Sequence, residues 1–241
     1  MIDVLLLRLD APLMSFGGEA VDAEGVTREF PGRAMLAGLV ANALGYEHRD
    51  FDRLQALQSR LRYAARQDRA GERVVDFQTI DLAQPYMAAG WTTRGYPEER
   101  GGDRDKDPRK QTHLRWRHYL AGASYTVALS LTGEGDPSLD AVERALRSPE
   151  RPLFIGRKCC LPATRLVLGR VTAATLRASL ALAPSPRGTS PGPRKAWWPV
   201  DEGTDAGRTL ALVDDMDWSN QVHTGRRFMQ EGTVTTEARD G

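Results

Sequence analysis

The chain has 241 residues, 41% of them hydrophobic, and its 33 basic residues nearly balance its 32 acidic residues. This length and composition predict a globular protein, built as one large domain or as a main domain with an appendage. No stretch approaches the roughly 18 consecutive apolar residues of a membrane span, and two adjacent cysteines are no disulfide framework. The chain begins with a strand-like segment rather than a secretion signal, so we expect a cytoplasmic protein.

The first third of the chain predicts a strand, two helices and a second strand. Residues 2–12, IDVLLLRLDAP, form a short apolar run closed by a proline, which is typical of a buried strand. Apolar residues then recur at helical spacing over 35–43, with Gly45 as the predicted stop. A second helix is predicted over 50–61, and residues 72–82, ERVVDFQTIDL, are strand-like.

The middle of the chain completes the pattern. Residues 123–133, ASYTVALSLTG, alternate as a half-buried strand does, and Ser138 is predicted to cap a short helix over 139–147. Residues 164–171 predict another strand, and Thr172 is predicted to open a helix. The order strand, helix, strand, strand, helix, strand predicts an α+β fold of the ferredoxin-like (RRM-like) type, in which two helices cover one face of a four-stranded antiparallel sheet.

Two segments interrupt this plan. The first, from about 83 to 113, is rich in glycine, proline and charge and has too few apolar residues to form core. The second begins near 183 as a Pro/Gly/Ser linker, so we predict a domain over 1–182 and a linker with a C-terminal extension over 183–241. Trp197 and Trp198, which follow the linker, are predicted to dock on a partner protein.

The segment 151–160, RPLFIGRKCC, places a glycine, two cations and two cysteines together. It predicts either a metal or redox site on the cysteines or an anion site on the cations, and a zinc site would need about four ligands at recurring spacings. From 151 to 200 the chain has nine basic residues and no acid, which leaves the remainder net negative by eight charges. This asymmetry indicates a polyanion-binding face; the alternative is a set of solvated arginines.

Several residues are candidates for contacts with a nucleic acid. Arg157 and Lys158 follow a glycine at a predicted strand end, where two cations could reach successive phosphates. Phe16 offers a face for a base and Gly17 a bare backbone near phosphate, unless Phe16 lies in the core of an ordinary turn. Arg33 lies in the first turn of a helix, where free N–H groups also attract phosphate. Arg28 could contact phosphate or pair with an acid.

Four blocks of sequence, in this order and spacing, resemble the CasD family of the type I-E CRISPR Cascade complex. They are LLLRLDAPLMSFGG, REFPGRAMLAGLVANALG, RWRHYLAGASYTVAL and PLFIGRKCCLPATRL. The resemblance runs from Ile2 to about Leu168. It implies a ferredoxin-like body with a thumb-like hairpin insertion, for which the segment 83–113 is the candidate.

The resemblance implies a non-catalytic RNA-binding subunit that holds the repeat-derived 5′ handle of the crRNA. It also implies contacts with the Cascade backbone subunit and large subunit, and with target DNA through the complex. No cofactor, metal or membrane is expected. The candidate RNA-binding residues are Phe16, Gly17, Arg28, Arg33, Arg104, Lys106, Arg109, Lys110, Arg115, Arg157, Lys158 and Arg165.

An enzyme is the alternative from another class. In a sister subtype of this family the protein itself cuts the repeat RNA without a metal, and Tyr46, His48, Lys110 and His113 have suitable acid and base groups. These residues show no diagnostic spacing, so we expect no catalysis. A scaffold that binds only protein is the third possibility, and it leaves the acid-free segment without an explanation.

Overall fold

The computed structural model describes residues 1–18, 23–81, 112–203 and 207–236. Its helices are α1 (Arg33–Ala43), α2 (Phe51–Arg60), α3 (Leu139–Arg147) and α4 (Leu176–Leu182). Its strands are β1 (Ile2–Asp10), β2 (Leu13–Met14), β3 (Glu24–Gly25), β4 (Leu61–Arg69), β5 (Glu72–Asp81), β6 (Thr112–Ala121), β7 (Ser124–Leu131), β8 (Val167–Ala173), β9 (Gly192–Pro199), β10 (Arg208–Leu212), β11 (Asp215–Asp217), β12 (Val222–Thr224) and β13 (Arg227–Thr236).

A large antiparallel sheet organises this mixed α+β fold. Seven strands lie in the order β10-β13-β9-β4-β7-β1-β8. Helices α1, α2 and α3 pack with one face of the sheet, whereas α4 packs on the other face. A smaller sheet has the order β2-β6-β3, with β5 also paired to β6, and β11 pairs with β12. No helix within the described ranges is long and apolar enough to cross a membrane.

Strand β1 lies inside this arrangement, as its apolar run predicts. Leu5, Leu7 and Leu9 belong to the core beneath α1, α2 and α3. Val4 and Leu6 belong to the core beneath α4. A strand that is covered on both faces favours apolar residues on both sides, which explains the run from Val4 to Leu7. Arg8, which follows, is also buried, and its guanidinium donates to the Pro184 carbonyl.

The strand predicted over 72–82 is confirmed as a strand, but it does not take the second place in the large sheet. The helix predicted over 50–61 ends at Arg60, and Leu61 begins β4, which pairs with β7 in the large sheet. The strand predicted over 72–82 is β5, which pairs with β6 in the smaller sheet. β4 was missed because it contains polar residues; Arg66 and Asp68 are buried there and form an ion pair with a 2.7 Å Nε–Oδ1 distance.

Two helix starts can be compared with their predicted caps. The hydroxyl of Ser138 accepts a hydrogen bond from the Ala141 N–H at 3.2 Å, so that cap is confirmed. Thr172 does not open a helix, because β8 continues to Ala173 in register with β1. Thr175 caps α4 instead and accepts from the Ala178 N–H at 3.0 Å.

The C-terminal strands continue the large sheet. β9 pairs with β4 and with β13, so the boundary predicted near 182 falls between two elements that contact the same sheet. Trp197 and Trp198 are fully buried on opposite faces of β9 and donate to Glu231 and to the Gly203 carbonyl. They anchor β9 inside the molecule, so the prediction that they dock on a partner is wrong.

The division of the chain into a body over 1–182 and an extension over 183–241 stays a prediction.

Helix α1 receives its N-terminal cap from the far end of the chain. Its own N-cap residue, Gly32, has no side chain to offer, and the buried carboxylate of Asp214 accepts from the Arg33 N–H at 2.7 Å. Arg227 donates to the same carboxylate from Nε and NH2, at 2.7 and 2.6 Å. Burial alone would raise the pKa of Asp214, but the hydrogen bond and charge of Arg227 outweigh it and hold that pKa below its usual value.

Asp214→Asn tests this tie between the two ends of the chain. At neutral pH we expect the free energy of unfolding to fall by about 3 kcal/mol, because Arg227 loses its buried counter-ion. A carboxylate whose pKa is lower in the folded state stabilises the folded protein. This stabilisation is complete above the pKa of about 3.9 that the group has in the unfolded chain, and it is lost as the pH falls through the folded-state pKa. Urea unfolding should therefore show the whole difference at pH 7 and a smaller one at pH 3.

Glu134→Gln is the control, because Glu134 is exposed and the change removes the same charge. It should shift the free energy of unfolding by less than about 0.5 kcal/mol at either pH. An Asp214→Asn effect as small as that of the control would show that the cap contributes nothing.

Candidate nucleic-acid interface

The turn that carries Arg157 and Lys158, the two predicted phosphate ligands, packs closely against the loop after β2. Gly156 has a φ of +92°, and a Cβ at this position would lie 1.6 Å from the Ser15 carbonyl oxygen. The Ser15 N–H also donates to the Ile155 carbonyl at 3.2 Å, and the Ile155 N–H donates to the Cys160 carbonyl at 2.7 Å. The glycine is therefore required by a close backbone approach, and the turn has a fixed position.

Arg157 lies on this turn and is half-buried. Its NH1 donates to the His118 carbonyl at 2.9 Å and its NH2 to the Gly25 carbonyl at 2.6 Å. Its guanidinium carbon also lies 4.8 Å from the centre of the Tyr119 ring. Arg157 thus ties the turn to β3 and β6, and much of its hydrogen-bonding capacity is used inside the molecule.

Lys158 and Arg165 have a different environment. Both are exposed, and neither forms an ion pair with any residue that the structure describes. Next to them Cys159 is exposed and Cys160 buried, both are free, and their sulfur atoms are 4.0 Å apart. Burial and the neighbouring Cys159 raise the pKa of Cys160 to about 11. Cys160 is therefore a neutral thiol at neutral pH, and the available charge of the turn is that of Lys158.

Arg28 and Arg33 face the C-terminal part of the chain. Arg28 NH2 donates to the Val213 carbonyl at 2.6 Å. The guanidinium of Arg33 forms a two-point ion pair with Asp215. Arg33 therefore pairs with an acid of this chain. Arg28, for which the sequence left phosphate or an acid open, donates to a backbone carbonyl.

The aromatic candidates also have defined places. Phe16 is 3% exposed and packs edge-on against Tyr125 with 5.0 Å between ring centres, so its ring lies in the core, which was the alternative to a base contact. Gly17 has a φ of +70°, and a Cβ there would meet no atom within 4 Å. Trp116 is half-buried on β6, and its ring centre lies 5.4 Å from that of the exposed Phe77.

The remaining candidates lie at or beyond the limits of the described residues. Arg104, Lys106, Arg109 and Lys110 lie outside them, as does almost all of the predicted thumb over 83–113. Strands β5 and β6, which flank that segment, are paired from Glu72–Ala121 to Asp81–Thr112. Arg115 is half-buried on β6, close to the point where that segment returns.

The acid-free segment does not present all its cations on one face. Arg151 donates to two backbone carbonyls. Arg170 pairs with acidic side chains of β1 and α3, and Lys195 pairs with one acid before α1 and another on β13. The acids that balance this segment therefore come from elsewhere in the chain, and the sequence alone could not show that pairing.

The sequence of this chain matches a known family along most of its length. The family model described as CRISPR-associated protein (Cas_Cas5) matches residues 4–230. The chain is also 31% identical, over 165 residues, to the CRISPR system Cascade subunit CasD of Escherichia coli (strain K12), which covers 68% of this chain and 70% of that protein. The chain belongs to the Cas5 family. The family predicted from the four sequence blocks is therefore confirmed.

Two solved structures resemble this chain over nearly its whole length. A chain of a CRISPR RNA-guided surveillance complex is 28% identical with a TM-score of 0.71, covering 97% of this chain and 90% of that one. A Cas protein with a crystal structure is 25% identical with a TM-score of 0.61, covering 97% and 95%. The C-terminal strands, which the sequence blocks did not reach, are thus included in the structural likeness.

A cavity beside the fixed turn was not predicted from the sequence of this Cas5 protein. It has a volume of about 240 Å³ and lies between the Ser15–Gly18 loop, the start of α1, the turn at 156–157 and the β11–β12 hairpin. Ser15 and Trp218 line it, together with Met35 and Met216. These residues come from separate parts of the sequence, and no local pattern brings them together.

The different environments of Arg157 and Lys158 lead to a prediction about stability. Arg157→Ala should lower the free energy of unfolding by about 2 kcal/mol, because two backbone carbonyls lose a charged donor. Lys158→Ala should change it by less than about 0.5 kcal/mol, because the side chain is exposed. Denaturant unfolding of the two variants measures the contrast, and equal effects would contradict the structural role of Arg157.

Proposed function

We propose that this chain is the non-catalytic subunit that holds the 5′ handle of the crRNA in a type I-E Cascade complex. The observation that carries this proposal is the family match over residues 4–230. It is supported by the relatives, one named as a Cascade subunit and one part of an RNA-guided surveillance complex.

The geometry favours an RNA site that extends from the turn at 156–160 to the root of the β5–β6 hairpin. Arg157 joins the two, because it bonds to the His118 carbonyl of β6 and lies over Tyr119. Lys158 is therefore held beside the strand that returns from the segment with Arg104, Lys106, Arg109 and Lys110. A run of basic residues that leads to an exposed lysine suits successive phosphates of one RNA strand.

In the part of the chain that the structure describes, a helix covers the sheet face that RRM modules use for RNA. RRM sheets stack bases on aromatic side chains of that face. In this chain Leu176 and Leu180 of α4 are fully buried over the corresponding face. We propose that β8-β1-β7-β4, with α1 and α3, is a ferredoxin-like module, and that it binds RNA through its turns and hairpin.

The remaining expectations form part of the same proposal. The Cascade backbone subunit and large subunit are the expected protein partners, and target DNA is reached through the complex. The segment 83–113 is the proposed thumb. The cytoplasmic location stays a prediction.

The endonuclease alternative depends on Tyr46, His48, Lys110 and His113. Tyr46 and His48 line one cavity of about 250 Å³, and Tyr46 is 6% exposed with the Arg53 guanidinium carbon 3.8 Å from its ring centre. Lys110 and the side chain of His113 lie outside the described residues. His118 pairs with Glu24 at 2.7 Å. Among the described side chains, no three His, Cys, Asp or Glu residues form a candidate metal site.

Substitution of Lys158 and Arg165 tests the RNA-binding proposal. The double change to alanine should weaken binding of the crRNA and lower its salt dependence, by about 0.7 in the log–log slope for each phosphate of a single strand that is no longer neutralised. Fluorescence anisotropy at several salt concentrations measures both quantities. Arg144→Ala, which removes an exposed cation of α3, is the control and should leave the slope unchanged.

Catalysis is tested directly with repeat RNA. We expect the purified chain to leave the RNA intact with and without Mg²⁺. A specific cut that disappears in Tyr46→Phe or His48→Ala would show that the chain is an endoribonuclease.

A further inference from the structure

Strand β5 has one long edge that no other described strand pairs with. It pairs with β6 without a register shift, from Glu72–Ala121 to Asp81–Thr112, and β6 is its one strand partner within the described ranges. In an antiparallel pair, every second residue directs its N–H and C=O away from the neighbouring strand. The outer edge of β5 therefore carries a regular row of backbone donors and acceptors that is left for another molecule.

Apolar side chains flank this edge. Val75 is 50% exposed and Phe77 is 53% exposed on one face of the β5–β6 hairpin, and Val74 is 39% exposed on the other. The ring centre of Phe77 lies 5.4 Å from that of Trp116, its register partner on β6. Neighbouring exposed apolar residues mark surfaces that bind another molecule.

The two outer strands of the large sheet are protected in ways that β5 is not. β8, at one end, has a register shift against β1 and carries Arg170, which pairs with Asp3 and Asp140. β10, at the other end, is only five residues long. Proteins protect an edge by a short strand, a bulge or charged side chains, because an open edge pairs with other chains. β5 is ten residues long and contains neither proline nor lysine.

The chemistry of the edge selects the type of molecule that covers it. A row of donors and acceptors at every second residue is matched by another extended polypeptide, which RNA does not resemble. β5 also contains three acidic residues and one basic residue, so its charge does not attract a polyanion. A strand added beside β5 would place its own side chains next to Val75 and Phe77, and one occupant would thus cover both the backbone and the apolar patch.

The proposed RNA site lies on the other face of the hairpin. Arg157 of the turn at 156–160 lies over the ring of Tyr119, which is the register partner of Val74. Side chains three positions apart on a strand point to opposite faces, so Tyr119 and Trp116 belong to different faces. RNA at the turn therefore leaves Val75 and Phe77 accessible to a second partner.

We propose that the outer edge of β5 binds an extended segment of another protein chain, which adds a strand to the smaller sheet and covers Val75 and Phe77. A fitting segment has apolar residues at every second position and a basic residue that offsets the acids of β5. The inference rests on the proposed function, which expects protein partners, and it adds the surface and the type of contact.

Hydrogen–deuterium exchange tests this contact at single amides of the full-length chain. The rates are compared for the free chain, for the chain with crRNA alone, and for the complex with the backbone subunit and the large subunit. In the complex, every second amide of β5 should exchange at least about a hundredfold more slowly than in the free chain, because a bonded amide exchanges only when the ladder opens. crRNA alone should change these rates by less than about twofold.

Val75→Lys and Val222→Lys form a matched pair of variants. Both remove an exposed valine, at 50% and 54% exposure, but Val222 lies on β12. Each variant competes with a differently tagged wild-type chain, co-expressed with the other subunits and crRNA. Val75→Lys should enter the complex about tenfold less often than the wild type, because a lysine at an edge hinders strand addition. Val222→Lys should stay within about twofold of the wild type, as mass spectrometry of the purified complex will show.

The possible failures can be told apart. If the wild-type chain joins no complex, the proposed function is wrong and the inference with it. If it joins, but β5 stays unprotected and Val75→Lys enters as often as the wild type, only the edge contact is wrong. Protection of β5 in the free chain would show that the segment 83–113 or a second copy covers the edge, and protection by crRNA alone would show that RNA does; either result overturns the inference. If Val75→Lys does not fold, the exchange measurement on the wild type decides.

Discussion

The carboxylate of Asp214 joins parts of the chain that are far apart in sequence. It caps α1, neutralises Arg227 on β13 and, through Arg227 NH2, is linked to the Tyr63 hydroxyl of β4 at 2.6 Å. A buried carboxylate is tolerated only when its charge and lone pairs are satisfied, so these contacts depend on one another. The Arg33–Asp215 pair and the bond from Arg28 to the Val213 carbonyl flank it. Trp218 follows four residues later, so the cavity exists because this tie holds the C-terminal hairpin against α1.

Helices cover both faces of the large sheet. α4 closes one face, and its last turn is held by Arg66, which donates to the Leu180 and Ala183 carbonyls from inside the molecule. Helices α1, α2 and α3 close the other face. Among the described residues, the turns at strand ends and the smaller sheet lie outside these two packed faces. The exposed Lys158 and Arg165 and the half-buried Trp116 lie in these regions.

Sequence reasoning succeeded where the pattern was local. β1, β7, α1 and α3 were predicted because apolar periodicity and a nearby cap, such as Ser138, are visible in short windows. β4 was missed because charged residues such as Arg66 and Asp68 are usually exposed. They are buried here because they pair with each other and Arg66 donates to carbonyls at the end of α4, which is remote in sequence. Arg33 and Arg157 looked like free cations for the same reason, since Asp215 and Gly25 are remote in sequence. The family could be recognised because the resemblance is carried by several blocks of sequence and does not depend on any contact between distant residues.

The close approach of Gly156 to Ser15 makes one backbone position responsible for the placement of both the turn at 156–160 and the loop that carries Ser15. Any side chain at 156 would force the turn away from the Ser15 carbonyl, because its Cβ would lie 1.6 Å from that oxygen. Lys158 would move with the turn, and Ser15 would lose the neighbour that fixes its loop. Sequence variation at this point cannot adjust the position of Lys158 and that of the cavity wall separately. During divergence of related chains, the two should be kept together or disappear together.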